Sequence, residues 1–255
     1  ASVDNLKLMQ QGRADLAFTL ADTLHEAAKG TGPFAATGPV DARTVAVLYT
    51  NYTHLVTRQG SGIARVADLK GRVVSTGAPG SGTELIADRL LQAAGIDPRQ
   101  GITRHALGAS ESAGALKDGK VDAFFWSGGL PTSAIQDLAA SAGLTIALVP
   151  QDDLLPALQA RYGKELYRAV SLPGATYRGN ADSVSVIGVS NVLVASSRLS
   201  PDLVEAITAA LFDAKADLIA AHPEARHLER ATGPDTAPVP LHEGALRYYQ
   251  ARGWR

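Results

Sequence analysis

The 255-residue chain contains no cysteine, which removes disulfide frameworks, thiol nucleophiles and metal or cluster sites built on Cys ligands. Its 24 Lys and Arg stand against 25 Asp and Glu for a net charge of −1, so it lacks the basic footprint that holds a general nucleic-acid binder to phosphate. No apolar run approaches the ~20 residues that span a bilayer. The most hydrophobic stretch, Ser183 to Ala195, is interrupted by Ser185, Gly188, Ser190 and Asn191. The chain opens at Ala1-Ser2-Val3 with neither an initiator Met nor a charged-then-apolar leader, and reads as a processed product or a fragment. Catalytic signatures are missing too: there is no G-x-S-x-G elbow and no H-E-x-x-H, and His222 and His227, five apart, do not share a helical face. No catalytic residue, metal ligand or cofactor is expected.

What is present is globular in character, with 45% hydrophobic and 19% charged residues and enough length for one large domain or two lobes. Short β-branched runs alternate with longer Ala/Leu-rich segments, the pattern of an α/β protein with largely parallel sheets. Strands are predicted at Asp15–Leu20, Thr44–Tyr49, His54–Arg58, Arg72–Thr76, Thr103–Leu107, Val121–Trp126, Thr145–Val149 and Ser183–Ala195. Helices are predicted at Asp4–Gln11, Ser81–Ala94, Ser110–Lys117, Pro131–Ala142, Asp152–Tyr162, Pro201–Ala221 and Glu243–Ala251. Ser200-Pro201 supplies an N-cap followed by Pro at the first helical position, and Gly95 stands where a helix C-terminus wants a left-handed residue.

His54–Ile63 and Ser183–Ala195 each couple an alternating strand to a Gly/Ser-rich stretch, as a crossover between lobes does. Two crossings make residues 1–57 plus 191–255 a discontinuous lobe I and residues 58–190 lobe II, with a ligand cleft at the carboxyl ends of the strands.

The richest motif is Val73–Leu85, VVSTGAPGSGTEL, a strand passing through a Gly/Pro loop into a helix. Gly77 and Gly82 have phosphate-loop spacing, but Thr83 replaces the Lys and Glu84 the Ser/Thr, so the residues that hold β/γ-phosphate and Mg²⁺ are absent. A helix N-terminus remains, with backbone N–H groups at Gly80, Ser81, Gly82 and Thr83, suited to a small anion such as a carboxylate. The alternative is that Ser81 or Thr83 merely caps the helix. A second strand–turn–helix stretch, Phe124–Thr132, places Trp126, Ser127 and Gly128 at a strand end, either as cleft wall and donors or as an ordinary βα turn.

Taken together, several segments resemble the solute-binding subunits of the TAXI family of TRAP transporters. They are SVDNLKLMQQGRADLAF at 2–18, KGTGPF at 29–34, DLKGRVVSTGAPGSGTE at 68–84, LLQAAGI at 90–96, LKDGKVDAFFWSGGLPTSAI at 116–135 and LHEGALRYYQARGW at 241–254. The resemblance implies a two-lobe, type II periplasmic-binding-protein-like fold hinged on two crossover strands. It implies capture of a small carboxylate or amino acid, glutamate- or glutamine-like or a dicarboxylate, without catalysis, and delivery to permease subunits of a TRAP transporter from the periplasm.

By position, Gly80, Ser81, Gly82 and Thr83 would hold the carboxylate, with Trp126, Ser127 and Gly128 nearby. Thr19, Asp22, Thr50, Asn51 and Tyr177 would face them from the other lobe or the hinge. A monomer is expected, with no nucleic-acid partner. In the family pattern a strand, a Gly-rich turn and a helix, about 40–50 residues in all, precede the segment that opens this chain, so lobe I is expected to lack its first strand and helix. A sensor domain presenting the same ligand to a signalling partner, or an enzyme on the same scaffold, stand as alternatives.

Overall fold

Two strands are much longer than the rest, and they organise the chain. β2 runs through Ala42–Arg58 and β8 through Val184–Ser196. The structure, a computed structural model, describes residues 1–235 and 238–255. They form two compact units, Ala1–Thr50 with Ser190–Arg255, and Asn51–Val189, so that β2 and β8 each contribute to both. β2 joins the two strands predicted at Thr44–Tyr49 and His54–Arg58, because Thr50-Asn51-Tyr52-Thr53 contains neither Gly nor Pro to interrupt pairing.

In the discontinuous unit, α1 (Ser2–Gln10), β1 (Leu16–Leu20) and α2 (Ala21–Lys29) follow one another closely. β1 pairs antiparallel with β8 over Leu16–Leu20 and Asn191–Ala195. Alternation along β8 sends Val192 and Val194 to a core shared with Val3, Leu6 and Leu24, and Leu193 and Ala195 to one shared with Val204, Tyr248 and Tyr249. The second core lies under α7 (Pro201–Asp213) and α9 (Glu243–Ala251). Gly244 allows these helices to close up: a Cβ there would lie 2.0 Å from the Pro201 carbonyl oxygen. α2 carries no breaker or long apolar run and was not predicted. The helix predicted over Pro201–Ala221 is divided at Ala214 into α7 and α8 (Lys215–Ala221), and nothing in the local sequence explains the break.

In the continuous unit the remaining elements are β3 (Val73–Ser75), α3 (Gly82–Ala93), β4 (Thr103–His105), α4 (Ala109–Lys117), β5 (Ala123–Gly128), α5 (Ser133–Ala140), β6 (Ile146–Leu148), α6 (Leu155–Tyr162) and β7 (Arg168–Leu172). β3 pairs parallel with β4 and β5, whereas β5 and β6 each pair antiparallel with β2. Thus β3 to β6 run one way and β2 runs the other. β7 is also antiparallel to β8. The expectation of largely parallel sheets is corrected to a mixed sheet. The parallel strands are those linked through crossover helices, and the long strands that enter from the other unit are free of that constraint.

Ser200 caps α7 as predicted, its Oγ accepting from Leu203 N at 3.3 Å. Gly95, at φ +75°, turns the chain after α3 while Ile96 N donates to Leu91 O at 2.8 Å.

Candidate anion-binding site

β3 ends at Ser75, and Thr76–Ser81 carry the chain to α3 through left-handed glycines at Gly77 (φ +95°) and Gly80 (φ +70°). The Ser81 hydroxyl caps α3, accepting from Glu84 N at 3.0 Å, and the Glu84 carboxylate returns to accept from Gly80 N at 2.9 Å. Ser81 N donates to the Ala78 carbonyl at 3.1 Å. The expected set of four donors is therefore corrected. Gly80 and Ser81 are occupied within the loop, and Gly82 and Thr83 keep N–H groups with no acceptor among the described residues. Both residues are buried. They stand at the positive end of the helix, where an anion is favoured.

Glu84 is fixed from its other oxygen by Arg104 at 2.9 Å, and Arg104 also meets Asp88 at 2.5 Å. Burial raises the Asp88 carboxyl above the usual range, with the Glu84 charge adding to it and Arg104 opposing. The spacing Ser81-x-x-Glu84 is a capping-box signal that sequence reasoning passed over.

β5 supplies the next wall. Ser127 N donates to Thr83 Oγ1 at 3.1 Å, and Asn51 Nδ2 donates to the Ser127 carbonyl at 3.1 Å. Thr83, Ser127 and Asn51 are thus brought together beside the N-terminus of α3, all three buried. Asn51, expected from the other lobe or the hinge, belongs to the same unit as this loop.

Trp126 and Tyr177 join a different group. Alternation along β5 sets Trp126 opposite Ser127, and Trp126 Nε1 donates to Thr132 Oγ1 at 3.0 Å. Thr132 N donates to the Tyr177 hydroxyl at 3.0 Å, and that oxygen lies 2.9 Å from His54 Nε2. His54 Nδ1 lies 2.9 Å from the Tyr52 carbonyl, which can only accept, so the ring carries its proton on Nδ1 and receives the Tyr177 O–H on Nε2. Burial lowers the His54 pKa to about 4. Tyr177 is corrected from a cleft-facing residue to a buried member of the core around Val56, Phe124 and Leu172. Gly128 passes beneath Trp126, whose Nε1 would lie 2.5 Å from a Cβ there.

Thr19, Asp22 and Thr50 lie in the discontinuous unit. Thr19 is buried on β1, its hydroxyl 3.4 Å from the Leu20 carbonyl. Asp22 is buried in the first turn of α2, where Oδ1 accepts from Thr23 N at 2.7 Å, and Thr50 is partly buried on β2. Among the described residues no group of His, Asp and Glu could hold a metal ion, and no helix is long and apolar enough to cross a membrane.

The profile of the NMT1-like family matches residues 1–253. Among solved structures, the periplasmic aliphatic sulphonate binding protein SsuA from Escherichia coli is 16% identical, with 98% of this chain and 70% of that one covered, at a TM-score of 0.52. An ancestral arginine-binding protein bound to arginine is 14% identical over 89% of this chain and 74% of its own, at a TM-score of 0.49. XAC2383 from Xanthomonas citri bound to chloride ion is 15% identical over 96% and 78%, at 0.48. The likeness to SsuA shows a shared fold, that of the periplasmic binding proteins, with an open mixed sheet and helices.

Proposed function

Because the chain belongs to the NMT1-like family, we propose that it is a periplasmic receptor that captures a small carboxylate or amino acid at the N-terminus of α3. It hands that ligand to the permease of a secondary transporter, in the manner of the TAXI-type TRAP subunits its sequence resembles, and performs no chemistry on it. The reading is carried by one observation, the unclaimed N–H groups of Gly82 and Thr83 at the start of a 12-residue helix. A carboxylate seated there exchanges water for two fixed donors and gains about 0.3–1 kcal/mol from the helix dipole, or more when partly buried.

Glu84 argues for a ligand of low negative charge. Its carboxylate is pinned over Gly80 N–H, and with Arg104 and Asp88 it leaves a net −1 beside the site. A monoanionic head group is favoured there over a doubly charged phosphate, which like charge repels.

The test is a thermal-shift panel with L-glutamate, L-glutamine, 2-oxoglutarate, malate, leucine, an alkanesulfonate, inorganic phosphate and ATP. A carboxylate at 100 times its dissociation constant adds about 2.7 kcal/mol, which raises the midpoint by roughly 5–10 °C in a chain of this size. A rise with a carboxylate but not with phosphate or ATP supports the reading. A panel in which only phosphate or ATP stabilises the protein, or one that is flat throughout, contradicts it.

A further inference from the structure

Thr53 of β2 stands directly opposite Ser127 of β5, and cross-strand partners project to the same side of a sheet. Asn51, two residues earlier, shares that side, with its Nδ2 3.5 Å from Ser127 Oγ. The Thr53 side chain is 0% exposed, and its Oγ1 has no hydrogen-bond partner among the described residues. Burying a hydroxyl without a partner is unfavourable, and Val would fill the same space without that penalty. Its neighbours on that side bond elsewhere: Asn51 Nδ2 donates to the Ser127 carbonyl, and Ser127 N donates to Thr83 Oγ1. An orphaned hydroxyl is therefore carried by the cross-strand partner of Ser127, the residue whose N–H holds Thr83 at the start of α3 beside the two unclaimed N–H groups.

An ionised carboxylate has about four lone-pair sites, more than two backbone donors can fill. Resting on the anion-site reading above, we infer that Thr53 is a specificity-determining residue of that site, its hydroxyl donating to an oxygen of the carboxylate held by the Gly82 and Thr83 N–H groups. The donors then come from two elements, the start of α3 and β2. That arrangement distinguishes a carboxylate from a ligand that presents a single acceptor.

Two variants and two measurements test this, with L-glutamate as the probe in calorimetric titration and thermal unfolding of the ligand-free protein. Thr53→Val keeps the shape and removes the hydroxyl. It is expected to bind L-glutamate about fivefold to tenfold more weakly while melting about 1–3 °C higher than the wild type. Thr53→Ser keeps the hydroxyl and loses a methyl group, so it is expected to melt lower and to bind within about twofold of the wild type. A Thr53→Val protein that binds L-glutamate as tightly as the wild type overturns the inference and leaves the anion site standing. A Thr53→Ser protein weakened as much as Thr53→Val also overturns it, since the loss would then follow packing and not the hydroxyl. If the wild type binds 2-oxoglutarate, malate or another carboxylate of the panel in place of L-glutamate, that carboxylate serves as the probe, and a wild type that binds none of them overturns the inference together with the carboxylate reading on which it rests.

Discussion

Gly77→Ala probes the geometry of the loop most sharply. At φ +95° an L-residue is strained, by about 1–2 kcal/mol. The added Cβ would also lie 2.6 Å from Thr83 Cγ2 and 2.7 Å from Thr83 Cβ. Carbon atoms rest at about 3.5–4.0 Å, so the contact must open by about 1 Å. Thr83 is built into α3 and held by its 3.1 Å bond to Ser127 N, and a shift of that size takes the bond out of range. A buried Ser127 N–H left without a partner costs about 1–3 kcal/mol. The sum is about 2–5 kcal/mol, a fall in melting temperature of about 5–15 °C, accompanied by at least about tenfold weaker L-glutamate binding because the Gly82 and Thr83 donors move with the helix.

The control is Gly71→Ala, at φ +74° with nothing within 4 Å of the new Cβ. It carries the backbone strain alone, about 1–2 kcal/mol, and leaves binding intact. Thermal unfolding monitored by circular dichroism, with calorimetric titration on the same samples, reads both quantities. Equal losses of stability in the two variants, or unchanged binding in Gly77→Ala, would refute the reasoning.

Three further outcomes are expected. His54 is favoured neutral in the folded protein, with its pKa lowered to about 4 by burial against about 6.5 unfolded. Its contribution is present above pH 6.5 and is lost as pH falls from there to about 4, up to about 3 kcal/mol. Urea unfolding of His54→Gln at pH 7 and pH 4 should lack that part of the slope, and an unchanged slope would assign it elsewhere. Arg104→Met removes the partner of Glu84 and Asp88, all three partly exposed, and should cost about 1–2 kcal/mol at pH 7. Asp88, already raised by burial, then rises further, so denaturation at pH 4 should show a smaller deficit than at pH 7; a deficit that does not change with pH would be contrary to this. Gly244→Ala would press a Cβ to 2.0 Å from the Pro201 carbonyl oxygen and 2.7 Å from Glu205 N. It should destabilise by at least about 3 kcal/mol, and a melting temperature near that of the wild type would show that α7 and α9 separate freely.

Much of the chain path was legible because its signals are local. The strand–loop–helix at Val73–Leu85, the cap at Ser200 and the turn at Gly95 each rest on residues within a few positions of one another. α2 and β7 were not, since α2 starts directly after β1 without a cap signal and β7 is a short, mostly exposed strand paired with β8. The site was half legible. Thr83 and Ser127 were singled out one by one, but that Thr83 Oγ1 receives Ser127 N, and that Thr53 stands beside them, depends on the register of β2 against β5. Register is a long-range property that no single segment carries. The same register places Trp126 with His54 and Tyr177 on the other side of the sheet. The terminal LHEGALRYYQ segment, read as a family signature, has a packing explanation: Gly244 admits α7, His242 caps α9, and the Tyr249 hydroxyl donates to the Val45 carbonyl at 3.0 Å.

The central claim is that a carboxylate binds on the Gly82 and Thr83 N–H groups, and titration of ¹⁵N-labelled protein with L-glutamate, followed by amide resonances, tests it most directly. The account predicts that the Gly82 and Thr83 resonances move saturably and further than those of Gly80 and Ser81, whose N–H groups are already engaged. Saturable binding that leaves Gly82 and Thr83 unmoved, or no response to L-glutamate or to any other carboxylate of the panel, would contradict it.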